Sequence, residues 1–141
     1  MTRWMPLLLL SLTLAACVPG MDGLEPNPQI VYDGAKRDVY NQVLSLIAAD
    51  PGIPAYSNRG ASGGWLISNS DFGSGLITAR AVSRGGKEFV DDVPDEVHAV
   101  SVVLTQVTPQ TTRLIVQGTP RAAPLIESLY SNLSATFGQA P

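Results

Sequence analysis

Residues Val97 to Val107 form an eleven-residue run dominated by β-branched side chains, with no Gly or Pro. Val and Thr lose side-chain freedom in a helix and pack well on a pleated surface, so the run predicts a long strand. Apolar residues fall on both of its faces near the centre, the pattern of a strand inside a sheet. Thr108-Pro109-Gln110-Thr111 then supplies a turn, and Thr112 to Gly118 repeats the β-rich pattern. Two strands joined by so short a turn pair antiparallel. A chain built around this hairpin needs further strands beside it and an apolar layer on top.

Both are legible. Leu76 to Ser83 predicts a strand in which Ile77, Ala79 and Ala81 share the core face. Trp65 to Ser70 predicts a further strand, joined to it by the turn cluster Asp71-Phe72-Gly73-Ser74-Gly75. Arg84 to Pro94 reads as a polar hairpin loop. Asp33 to Ala49 predicts a helix with Asp33 as its N-cap, because Val39, Tyr40, Val43, Leu44 and Ile47 recur at helical spacing. Pro51 ends it, since the residue before a proline avoids α geometry. A second helix is predicted from Ala123 to Phe137, where Leu125, Leu129, Leu133 and Phe137 recur every four residues. Gly138 is its stop. The expected fold is α+β, in the order α-β-β-β-β-α. About four antiparallel strands form one layer, and both helices pack on one of its faces.

The N-terminus is a targeting segment. Arg3 gives a basic start, Met5 to Leu14 is an apolar run rich in Leu, and small residues follow. The run is too short for a permanent membrane span and has the layout of a secretory signal. It ends in Leu14-Ala15-Ala16-Cys17, which resembles the lipobox of bacterial lipoproteins at every position. The resemblance implies a diacylated Cys17 thiol, cleavage before Cys17, and usually a third acyl chain on the new amino group. Two or more chains anchor firmly, at about 0.8 kcal/mol per buried methylene. Residues 1–16 are then the signal peptide. Residues 17–31 are the lipidated Cys and a tether rich in Pro and Gly, and 32–141 are a single domain. Val18 follows the Cys where an Asp is associated with inner-membrane retention. That implies the outer membrane, facing the periplasm, in a Gram-negative cell.

The Gly75-Leu76-Ile77-Thr78-Ala79 strand after the first hairpin turn is similar to the Gly-(Leu/Ile)-Ile-x-(Ala/Ser) strand of small envelope lipoproteins. Among them are the BamC-like helix-grip modules. The likeness implies a fold and does not transfer a function.

Composition narrows the chemistry. A net charge of −3 with 15% charged residues does not suit a nucleic-acid binder. One Cys and one His exclude an internal disulfide and a zinc site built from several Cys and His. Gly60-Ala61-Ser62-Gly63-Gly64 spells a nucleophile elbow, but lacks the strand before it and the helix after it that the elbow requires. Asp71-Phe72-Gly73 is turn chemistry without the other kinase motifs. The acidic stretch 88–98 is the candidate metal site, with Asp91, Asp92, Asp95, Glu96 and His98 as its donors. Tyr56, Trp65 and Phe72 are candidate interface residues and equally candidate core residues.

The reading is a non-enzymatic envelope lipoprotein without cofactors. It is held to the membrane through Cys17 and binds an envelope protein partner at a sheet edge or at the face away from the helices. The alternative is a receptor for a small ligand or divalent metal that uses the 88–98 segment. Cys17→Ser is expected to abolish incorporation of radiolabelled palmitate and to leave the leader uncleaved, both read on one gel. Unchanged labelling and processing would remove the lipoprotein reading.

Overall fold

A computed structural model describes residues 29–53, 64–83, 87–88, 91–92 and 96–141. The elements in chain order are β1 (Ile30–Tyr32), α1 (Lys36–Ala49), β2 (Leu66–Asp71) and β3 (Leu76–Ser83). After them come β4 (Lys87–Glu88), β5 (Asp91–Asp92), β6 (Glu96–Thr108) and β7 (Thr111–Gly118). A 3₁₀ turn at Pro120–Ala122 leads into α2 (Ala123–Phe137). The main sheet has five antiparallel strands in the order β1-β7-β6-β3-β2, and β4 and β5 form a separate two-stranded hairpin. The fold is α+β, with one strand more in the sheet than the sequence suggests.

That extra strand is β1. Ile30 and Val31 fall where the tether was expected, yet they pair with Leu114 and Arg113 of β7. Its outer edge is covered as well. The Ala140 amide donates to the Val31 carbonyl at 2.9 Å, and the Asp33 amide donates to the Gly138 carbonyl at 3.4 Å. Asp33 is thereby held at the strand end and does not cap α1. The cap position belongs to Ala35, which supplies no side-chain hydrogen bond.

One ladder organises the sheet. β6 pairs with β3 over eight positions, from Leu76↔Val103 to Ser83↔Glu96, and with β7 from Val100↔Gly118 to Thr108↔Thr111. The residues at His98, Val100, Val102 and Leu104 are buried. Their partners on the same face, Ile77, Ala79, Ala81, Leu114 and Val116, are buried too. Onto this face pack Val39, Tyr40, Val43 and Ile47 of α1 and Leu125, Ile126, Leu129 and Leu133 of α2. A buried Leu of this kind contributes roughly 1.5–3 kcal/mol. The opposite face of β6 carries Val97, Val103 and Val107, all exposed. β6 is central in the sheet, as its apolar centre suggests, and the helices cover one of its faces.

The β2–β3 turn fixes one corner. Gly75 has φ 75, in the left-handed region that favours glycine. A Cβ there would lie 2.0 Å from the Leu104 carbonyl oxygen. The close approach lets the Gly75 carbonyl accept from the Leu104 amide at 2.9 Å, so the turn is clamped to β6. No helix among the described residues is long and apolar enough to cross a membrane.

Gly75→Ala is expected to destabilise the domain by about 2 kcal/mol or more, through strain at positive φ and the carbonyl clash. Leu129→Ala, at a fully buried position, is expected to cost about 2–5 kcal/mol. Urea denaturation followed by circular dichroism reads both.

Candidate functional site

Antiparallel pleating sends alternate residues of β3, β6 and β7 away from the helices. Leu66, Val82, Val97, Val103 and Val107 emerge on this open face with exposures of 67%, 40%, 60%, 36% and 47%. Val82 and Val97 face one another across the β3–β6 ladder, and Leu66 faces Arg80 across β2–β3. A run of exposed aliphatic side chains on one surface is the kind of patch that marks a contact site.

Between the aliphatic positions runs a polar strip. Thr78 pairs with Ser101, and Ser101 with Gln117, which makes a row across three strands. Ser68 sits at the irregularity in β2, where the register shifts between Ile67 and Asn69. Its hydroxyl donates to the Thr78 carbonyl at 3.2 Å and meets the Thr78 hydroxyl at 3.0 Å. Together with Arg80 and Ala99 these residues line a groove of about 350 Å³. At the groove's end the Ala99 amide donates to the Thr119 hydroxyl at 3.3 Å and the Thr119 amide to the Ala99 carbonyl at 3.0 Å. The arrangement offers hydroxyls, an amide and one guanidinium between aliphatic flanks.

The candidate interface residues do not gather here. Trp65 is 7% exposed and belongs to the hydrophobic core, the second of its two readings. The indole has more apolar surface to bury than its neighbours Gly64 and Leu66, and the helix layer takes it. Phe72 is exposed, but on the β2–β3 turn beside α1. Its ring meets Tyr40 edge-on at 5.3 Å, with the Lys36 ammonium 5.0 Å and the Arg37 guanidinium 5.6 Å from its centroid. Tyr56 and Cys17 lie outside the described residues.

The candidate metal donors divide likewise. Asp91 and Asp92 form β5, and Asp95 lies outside the described residues. Glu96 and His98 share one face of β6, where the His98 Nε2 lies 3.5 Å from a Glu96 carboxylate oxygen. That oxygen is also 4.0 Å from the Arg121 guanidinium. His98 is buried on the core face, so the imidazole is a lid on the end of the core. Among the described residues no three His, Cys, Asp or Glu side chains converge in a way that holds a metal ion.

Asp71 organises the turn that bears Phe72. One carboxylate oxygen accepts from the Gly73 amide at 2.9 Å, and the other from the Ser74 hydroxyl at 2.7 Å. The Ser74 hydroxyl first, and then the Gly73 and Ser74 amides, hold its carboxyl below the usual aspartate value. Lys36 closes the turn by donating to the Gly73 carbonyl at 3.1 Å.

The chain matches no family model, no curated protein and no solved structure. The open face was within reach of the sequence. Val97, Val103 and Val107 keep one parity along β6, and that parity, taken alone, marks a second apolar face.

A depressed carboxyl stabilises its turn above the ordinary aspartate range, and the effect is lost as pH falls through the lowered folded value. The Gly73 and Ser74 amide resonances are therefore expected to titrate with a midpoint below the ordinary aspartate value. In Asp71→Asn, which keeps an acceptor but carries no charge, that titration disappears.

Proposed function

We propose that the chain is a non-enzymatic envelope lipoprotein, anchored through Cys17, whose α+β domain binds a second envelope component with its open sheet face. One observation carries this reading. A single layer of helices covers one face of a five-stranded sheet and leaves Leu66, Val82, Val97, Val103 and Val107 in solvent on the other. Exposed aliphatic surface of this kind has a cost in water that contact with another molecule removes.

The sheet edges serve less well. β1 is clasped by the C-terminal segment, and β2 is interrupted by its irregularity at Ser68 and carries a polar run from Ser68 to Asp71. Both features discourage an added strand. The tether, Val18 to Gln29, would span on the order of 35 Å if extended, at about 3.1 Å per residue. With Val18 after the lipidated Cys, the domain is placed at the periplasmic side of an outer membrane in a two-membrane cell.

The reading of segment 88–98 as a small-ligand or divalent-metal site has less support. Glu96 and His98 lie 3.5 Å apart, and Arg121 brings positive charge to the same carboxylate.

A photoreactive amino acid placed at Val97 or Val103 in the cell-borne chain is expected to give a discrete adduct. The same residue at Glu127, exposed on α2, is expected to give none. Equal adducts at all three positions would overturn the open face as the working surface.

A further inference from the structure

We propose that the groove beside Arg80 seats the anionic head of a lipid, with its aliphatic chain lying on the valines of the open face. This rests on the open face being the working surface and names what that surface takes.

Charge is the first argument. The open face carries Arg80 and Arg113, opposite Ala99 and Thr105 of β6, six residues or ~20 Å apart along the strand. Neither guanidinium has a hydrogen-bond or carboxylate partner among the described residues. The face holds one described carboxylate, that of Asp71 at its corner, and Gly73 and Ser74 already occupy it. In a chain of net charge −3, the described residues of this surface are cationic. Around Arg80 stand the Thr78 and Ser101 hydroxyls and the Gln117 amide, all able to donate to an anion's oxygens.

The second argument concerns what can lie on a sheet face. From Leu76 to Arg80 β3 is paired on both sides, and so is β6 from Val100 to Val103. A peptide laid across the face would bring its own N–H and C=O groups against valine side chains with few partners, at a desolvation cost. A hydrocarbon chain has no such groups. A second copy of this chain is also disfavoured, because face-to-face packing would enclose guanidiniums from both copies without carboxylates to answer them. The groove's 350 Å³ is at the small end of the roughly 300–1,000 Å³ typical of ligand pockets. It fits a head group and the first part of one chain, with the rest on Val82 and Val97 or toward Val103.

The test uses the full chain in phosphatidylcholine nanodiscs with tetradecyl phosphate carrying a photoreactive group in its tail. Labelling is expected on β3 and β6 peptides that contain open-face residues. The phosphocholine ester of the same tail should label them about tenfold less, the scale of one lost hydrogen bond to a charged group. Arg80→Gln should cause a similar drop, while Arg80→Lys retains most of the labelling and Arg37→Gln on α1 changes nothing. An excess of inorganic phosphate should leave most labelling in place. Its full displacement would point to a bare anion site and overturn the lipid. Equal labelling by both head groups, label spread over α1 and α2, or preferred labelling by an acidic peptide bearing the same photoreactive group would also overturn it. Protein adducts at Val97 and Val103 in cells, with the lipid arms blank, would leave the working surface standing and refute only its occupant.

Discussion

The whole domain depends on the alternation along β6. Its even-numbered residues from His98 to Leu104 go into the core, and its odd-numbered valines at 97, 103 and 107 go into solvent. A slip of one residue would exchange the two sets, so the hydrophobic effect holds the register firmly. The same alternation, carried through β3 and β7, forms the floor on which both helices rest. It also forms the uncovered surface on the other side. The core and the open surface are thus two faces of one ladder. Core packing constrains the first, and the second is left to function.

How far the sequence discloses this depends on the signal each element carries. α2 is read to its exact ends because Leu125, Leu129 and Leu133 recur at helical spacing between Pro124 and Gly138. β3 is read equally well from the alternation of Ile77, Ala79 and Ala81. β1 is different. Three residues after a stretch rich in Pro carry almost no periodicity, and only long-range pairing with β7 and the tail makes them a strand. The start of α1 fails for a related reason. Asp33 has the chemistry of a cap, but its backbone is committed to the Gly138 carbonyl.

The site residues show the same division. An aromatic residue in a strand next to a glycine-rich loop has no local mark that tells surface from core. Trp65 goes inside because the helix layer has room for it. Phe72 stays outside, but its neighbours Tyr40, Lys36 and Arg37 make it a brace between the turn and α1. The open face escapes a reading by residue type, since its members are ordinary valines, threonines and serines. Only their shared parity across three strands assembles them. Arg80 and Arg113 gain significance in the same way, from the lack of carboxylate partners for them among the described residues.

The clasp at β1 has a mechanical consequence. Three rungs join β1 to β7 on one side, and residues 138–140 grip it from the other. Traction on the segment before β1 would reach the fold through Ile30 and meet this three-ply seam first. A load shared between two neighbours resists peeling better than a frayed edge strand. The last few residues of the chain therefore serve as a strain relief for its first ones.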